Sequence, residues 1–227
     1  MSGQFEEEWK CALINPLLKK LGLDLLFPNY TCRPVSNLQY ISKLTEKAVF
    51  NQMHAHMTTN AIYPELQSSY RRSHSTETAL LKVANDILMK MNSQVITLLV
   101  MVDLSATFDT VNHDILISRL HEEVGVSGLA LEWFRSYLQN RTQRVAVDRM
   151  FSEGFVLDYG VPQGSCLGPL RFIIYSSKLF KVIRDQLPEA HYYADNTQLY
   201  LCFKPHSDAS LTATINSMEC CIEKIRE

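Results

Sequence analysis

Two aspartates stand at points where a stiff backbone meets water. Asp103 follows Val95-Ile96-Thr97-Leu98-Leu99-Val100-Met101-Val102, a run rich in β-branched residues and too short for a substantial helix. Asp195 lies between the β-prone arms Tyr192-Tyr193-Ala194 and Thr197-Gln198-Leu199-Tyr200-Leu201. The spacing predicts a strand ending at Asp103 and a hairpin with Asp195-Asn196 at its tip. A carboxylate just past a buried strand is held rigidly while its oxygens stay wet. Two of them brought together from distant sequence repel one another unless cations lie between. Mg²⁺ suits such a pair, because it takes few carboxylates and keeps waters and substrate phosphates as its other ligands. Two such ions can serve the attacking and leaving oxygens of a phosphoryl transfer. Spacing alone leaves the bland alternative open, in which Asp103 ends its strand and Asp195 makes its turn.

Elements that could position these residues follow from the punctuation. The chain holds only eight Gly and eight Pro in 227 residues, yet three Gly and two Pro crowd into Gly160-Val161-Pro162-Gln163-Gly164-Ser165-Cys166-Leu167-Gly168-Pro169. Such crowding marks a backbone with special conformational or close-approach demands. Residues 10–35 read as hairpin and loop. A helix over 37–56 capped by Ser36, with Leu38, Ile41, Leu44, Ala48 and Val49 on one side, is expected next, then one over 76–91 capped by Ser75. Helices over 112–123 and 127–139, broken by Gly125, precede short strands at 144–148 and 154–159 and a helix at 170–179. A last helix capped by Ser207 or Asp208 carries the stripe Leu211, Ile215, Met218, Ile222 and Ile225.

Composition sets the outer bounds. A 46% hydrophobic, 20% charged chain supports a sizeable core and excludes long disorder. No apolar run reaches the roughly 18–20 residues of a membrane helix, and the acidic start Glu6-Glu7-Glu8 is unlike a secretory leader, so an intracellular, non-secreted protein is expected. Six cysteines without a C-x-x-C pair read as free thiols. The net charge of −2 hides an asymmetry, since residues 10–82 hold nine Lys/Arg against four acids. A basic first third is compatible with a face that meets phosphates and equally with a solvated helix face.

The wording around the aspartates adds a resemblance. Asp103-Leu104-Ser105-Ala106-Thr107-Phe108-Asp109, Gly160-Val161-Pro162-Gln163-Gly164-Ser165 and Tyr193-Ala194-Asp195-Asn196 occur in the order of motifs A, B and C of reverse transcriptases from non-LTR (LINE-type) retrotransposons. Arg33-Pro34-Val35-Ser36-Asn37-Leu38, Tyr70-Arg71-Arg72-Ser73-His74-Ser75-Thr76, and Trp133-Phe134-Arg135-Ser136-Tyr137-Leu138 leading into Arg141-Thr142-Gln143-Arg144-Val145 resemble further blocks of that family. The likeness implies an α+β fold: a right-hand polymerase palm with an antiparallel sheet and packed helices (93–227), preceded by a partial fingers region (1–92). It implies RNA-directed DNA polymerisation with an RNA template, a DNA primer, deoxynucleotide triphosphates and two Mg²⁺. By the same likeness Asp103, the Leu104 carbonyl and Asp195 would bind metal. Phe108 would be the steric gate against a 2′-hydroxyl, with plain core packing as its other role. Gln163 and Gly164 would sit beside the incoming nucleotide. Lys19 or Lys20, with Arg33, would grip the triphosphate. Arg71 and Arg72 would lie near template phosphates or be ordinary surface arginines.

Several letters depart from the family pattern. Asn196 replaces the second aspartate of motif C, keeping one oxygen but removing a charge and adding a donor. Thr31-Cys32 looks inserted before Arg33, and Arg171 occupies a usually apolar place, where an unpaired buried guanidinium would be costly. The residues also stop before the family's motif D and thumb. These departures predict a catalytically impaired domain of a truncated element copy. The alternative is a non-catalytic RNA- or protein-binding remnant, motivated by the basic first third and the unfinished apolar stripe at 211–225.

Overall fold

Strand β1 (Cys11–Leu18) pairs antiparallel with β2 (Cys32–Asn37), and this pair begins one of the two sheets among the described residues. The structure, a computed structural model, describes residues 3–20, 22, 31–104, 108–186, 189–204 and 208–226. The chain packs as two compact units that interleave in sequence: Met1–Ile62 with Ala106–Tyr175, and Tyr63–Ser105 with Ser176–Glu227.

In the first unit, β1 also pairs in parallel with β4 (Thr142–Val147), which carries the short strands β5 (Met150–Phe151) and β6 (Phe155–Val156). Helices α1 (Tyr40–Thr59), α3 (His113–Glu122), α4 (Gly128–Leu138) and α5 (Gly168–Tyr175) belong to this unit. Their facing side chains make its core. Leu116 and Leu120 on α3, Phe134, Tyr137 and Leu138 on α4, and Leu170, Phe172 and Ile173 on α5 are all buried. Phe5 closes one end, edge-on to Trp9, Trp133 and Tyr137 at centroid distances of 5.6, 5.6 and 4.9 Å.

The second unit is a three-stranded antiparallel sheet in the order β3 (Ile96–Asp103), β8 (Asn196–Phe203), β7 (Ala190–Tyr193). Helices α6 (Ser177–Gln186) and α7 (Asp208–Arg226) cover one face through Phe180, Ile183, Met218 and Cys221, against Ala190, Tyr192 and Leu199. Helix α2 (Thr76–Asn92) is also part of this unit. The α+β palm with an antiparallel sheet and packed helices is thus present as expected. Ser75 caps α2 with a reciprocal Thr78 bond, so this sequence signal held.

Four local expectations need correction. Ser36 does not cap α1; it lies in β2 and its N–H donates to the Gln163 carbonyl at 2.7 Å, while α1 starts at Tyr40. The buried side of α1 is Ser42, Glu46, Met53 and Met57, whereas Ile41, Leu44 and Ala48 face water, because Glu46 finds hydrogen-bond donors inside. Strand β3 is not wholly buried: it is an edge strand, with Leu99, Met101 and Asp103 exposed at alternate positions and Ile96 exposed at its start. The helix expected over 170–179 is two helices that part at Ser176. The expected cap at Ser207 lies outside the described residues.

Candidate active site

The β3–β8 register decides where the two aspartates stand along the sheet. Residues pair from Ile96↔Phe203 to Asp103↔Asn196, so Asp103 stands directly across from the neighbour of Asp195. The chain continues the ladder one step further, where the Leu104 N–H donates to the Asp195 carbonyl at 3.2 Å. Asp103 is exposed and Asp195 half-buried, so both carboxylates are reachable at the same sheet end.

The turn differs by one residue from the expected one. Tyr193 pairs with Asn196, leaving Ala194-Asp195 as the two-residue loop, with Asn196 already in β8. Ala194 has φ +55°, a left-handed value that favours glycine, while Asp195 is not at positive φ. Asn196 turns its amide toward the site and donates to Asp195 Oδ1 at 3.3 Å. A second aspartate there would accept instead of donate, leaving that oxygen free for a cation.

Tyr70, also at φ +58°, lies close enough to feel this charge. Burial pushes its phenol up first, and the negative charge of Asp195 and that of Tyr193 add to the shift. Arg71 bends back on its own segment, donating to the Glu65 and Gln67 carbonyls, both at 3.3 Å, and facing the Tyr63 ring. Arg72 is exposed.

As a donor set, two reachable carboxylates and a backbone carbonyl fit a hard divalent ion that retains several waters. No group of three His, Cys, Asp or Glu side chains is gathered among the described residues, so the protein alone would not enclose the ion. Asp103, Leu104 and Asp195 are therefore the residues that would hold Mg²⁺, which when bound would polarise phosphate oxygens.

The remaining expected site residues belong to the first unit. Lys19 and Lys20 are exposed beyond the end of β1, and Arg33 is exposed on β2 opposite Leu17. The glycine-rich loop 160–168 is stitched to two segments. Gly160 N–H donates to Val111 O and Val161 N–H to Phe108 O, both at 2.7 Å, while Gln163 O accepts from Ser36. Close approach explains two of its glycines. A Cβ on Gly160 would stand 2.8 Å from the Phe108 and Asp109 carbonyl oxygens, and one on Gly164 2.7 Å from the Ser36 oxygen, both at positive φ. Phe108 is half-buried, with its ring 6.0 Å from that of Phe172 and against Gly168. A pocket of about 270 Å³ opens beside the loop, lined by Pro34, Ser36, Asp109, Tyr159 and Gln163 among others. Burial pushes the Asp109 carboxyl up, and Gln163 Oε1 has no partner among the described residues.

Beneath the loop lies a polar cluster that sequence reading did not foresee. Glu46, fully buried, accepts from the Tyr137 hydroxyl (2.6 Å), the Ser165 hydroxyl (2.8 Å) and the Cys166 N–H (2.7 Å). Arg171, 1% exposed, is partly satisfied: its Nη2 donates to Ser165 Oγ at 2.7 Å and its guanidinium lies 4.8 Å from the Tyr137 ring centre, while its Nε and Nη1 have no hydrogen-bond partner among the described residues. Arg141 takes a second place on Tyr137, 4.5 Å from that centre.

Comparison with known proteins fits this geometry. Residues 19–226 match the family described as reverse transcriptase (RNA-dependent DNA polymerase). The chain is 31% identical over 222 residues to a probable RNA-directed DNA polymerase from transposon BS of Drosophila melanogaster, covering 98% of this chain and 23% of the relative. It is 29% identical over 177 residues to the RNA-directed DNA polymerase of the mobile element jockey from the same organism, covering 78% and 19%. The chain thus spans less than a quarter of these relatives. Among solved structures, telomerase from Candida tropicalis with a telomeric RNA fragment superposes with a TM-score of 0.62 at 13% identity, over 94% of this chain and 38% of that one. Telomerase from Candida albicans gives 0.60 at 12% identity, over 92% and 40%, a likeness of fold. No helix among the described residues is long and apolar enough to cross a membrane. With motifs, fold and relatives in agreement, the chain belongs to the reverse transcriptase family, as a domain homologous to the RNA-directed DNA polymerases of non-LTR retrotransposons.

Proposed function

We propose that this domain descends from an RNA-directed DNA polymerase that extends a primer 3′ end with deoxynucleotides by Mg²⁺-assisted nucleotidyl transfer, and that Asn196 impairs the activity in this chain. The observation that carries the reading is the β3–β8 register, which sets Asp103 beside the Ala194-Asp195 turn. Asp103, Asp195 and the Leu104 carbonyl hold the metal. Lys19, Lys20 and Arg33 meet the triphosphate, Gln163 and Gly164 border the nucleotide, Phe108 limits its sugar, and Arg71 and Arg72 face the template. By role, residues 1–92 form a fingers portion and 93–227 a palm portion, a division distinct from the packing units. RNA template and DNA primer are the partners, and the compartment is nucleus or cytoplasm.

Asn196 acts through charge and hydrogen bonding together. It removes one potential carboxylate, and its amide competes for Asp195 Oδ1. Primer extension on an RNA template with Mg²⁺ or Mn²⁺ tests the reading. Asn196→Asp should raise extension by roughly tenfold or more, about 1.4 kcal/mol of transition-state stabilisation. Asp195→Asn, made in that variant, should abolish it. Equal synthesis by the original chain and Asn196→Asp would overturn the impairment, and synthesis surviving Asp195→Asn would overturn the assignment of Asp195.

A further inference from the structure

Ala194 occupies a backbone conformation that costs a residue with a Cβ roughly 1–2 kcal/mol. Something must hold it there, since otherwise the turn would relax and carry Asp195 with it. The segment 66–69 does so. Ser68 N–H donates to the Tyr192 carbonyl at 2.9 Å and Tyr192 N–H to the Leu66 carbonyl at 3.0 Å, so this segment runs as a short parallel rail along β7. From that rail Gln67, 0% exposed, reaches the turn. Its Oε1 accepts from Ala194 N–H (3.1 Å), Ser69 N–H (3.0 Å) and the Ser69 hydroxyl (2.8 Å). Its Nε2 donates to the Ala194 carbonyl at 3.4 Å. Ser69 Oγ accepts from the same Ala194 N–H at 2.9 Å.

One side-chain amide thus serves as both acceptor and donor for the residue preceding Asp195. A residue gripped at both its N–H and its C=O has the two peptide groups on either side of it fixed, and neither can rotate without breaking a bond to the buried Gln67 amide, whose unpaired polar atoms would be costly. We propose that Gln67, assisted by Ser69, is the positioning residue that fixes the Ala194-Asp195 turn in its metal-holding geometry. This inference rests on the reading of Asp103 and Asp195 as a metal site. It extends that reading to a residue 36 positions before Asp103, one that touches neither metal nor substrate.

Gln67→Leu keeps the approximate volume and removes every bond. Ala194→Gly removes the need for the clamp, because glycine adopts positive φ without strain. Mn²⁺ affinity, read by electron paramagnetic resonance of the free ion, and hydrogen exchange of the Ala194 and Asp195 amides are measured on the whole chain below its unfolding transition. Gln67→Leu should weaken Mn²⁺ binding about tenfold and speed both amides by a similar factor, and adding Ala194→Gly should recover a large part of the affinity. A loss of general stability alone would lower the unfolding midpoint without changing Mn²⁺ affinity in the folded protein, and would gain nothing specific from Ala194→Gly. Wild-type affinity and exchange in Gln67→Leu would overturn the proposal. Unchanged Mn²⁺ affinity in Asp195→Asn would instead overturn the metal reading, and amide exchange would then still decide whether Gln67 holds the turn.

Discussion

The loop at 160–168 and the turn at 194–195 meet the same demand, a backbone at positive φ held close to other chain, by opposite chemistry. In the first unit the positive-φ positions are glycines, and the anchor beneath them is a buried carboxylate, Glu46, that accepts three bonds. In the second the strained position is an alanine, and the anchor is a neutral amide, Gln67, that both accepts and donates. The difference has an electrostatic logic. A carboxylate anchor beside Asp195 would add a third negative group to a pair that already repels. An amide fixes the turn without adding charge. The loop in the first unit has no aspartate pair in its own anchor, and two arginines, Arg141 and Arg171, share the cluster around Tyr137.

Breaking the charged anchor should have the largest effect. Glu46→Ala leaves the Tyr137 and Ser165 hydroxyls and the Cys166 N–H without their acceptor, at about 1–3 kcal/mol for each buried group, so urea unfolding should show a loss of about 3 kcal/mol or more. Glu46→Gln should cost about 1–2 kcal/mol, because the amide oxygen can serve Ser165 and Cys166 while the Tyr137 hydroxyl rotates to accept from the amide nitrogen. If the two substitutions cost the same, the charge of Glu46 rather than its bonding pattern governs the anchor.

Adding or removing one methyl group sharpens the contrast. Gly164→Ala puts a Cβ 2.7 Å from a backbone oxygen at φ +122°, and should destabilise by about 2–3 kcal/mol in the same measurement. Ala194→Gly should do the reverse, gaining up to about 1 kcal/mol because relief of the positive-φ strain outweighs the freedom that glycine adds to the unfolded chain. A destabilising Ala194→Gly would mean that the clamp has removed the strain by other means.

The parts legible in the sequence were those with short-range signals. An eight-residue apolar run, aromatic arms around a polar tip and a Ser75 cap each announce themselves within a few neighbours. Asp103, Asp195 and the glycine crowding at 160–168 were visible for that reason. Glu46 and Gln67 were not, because their meaning depends on partners 119 and 127 residues away, Ser165 and Ala194. A glutamate on a helix and a glutamine before two serines both look solvated. The apolar stripe of α1 misdirected in the same way, since the inner face belongs to the residue with the best partners rather than to the most hydrophobic one. The one-residue shift of the turn has a related cause. Asp-Asn carries the local turn preference, but Gln67 supports Ala194, and the resulting register leaves Asn196 paired in β8. Had the strand ladder alone been considered, the aromatic arms permitted either register.

The smallest expected effect is a pH dependence that both units share. Burial holds His113 in the first unit below the ordinary imidazole range despite its bond to the Gly160 carbonyl at 2.7 Å, and Arg171 and Arg141 push the same way, against Asp114. Burial likewise lowers His191 in the second, helped by Lys82 and His74 and opposed by Asp86, while Nε2 meets Ser68 Oγ at 3.0 Å. Both rings stay neutral when folded and bind protons more readily when unfolded. Their contribution is therefore complete above the unfolded value near 6.5 and is lost as pH falls below it toward the lowered folded values. Unfolding midpoints should drop between about pH 6.5 and 5, and His113→Gln and His191→Gln should each flatten that slope. Imidazole proton shifts followed by NMR through the same window provide the direct check: titration of both rings at or above the ordinary value would reverse the sign and remove the effect.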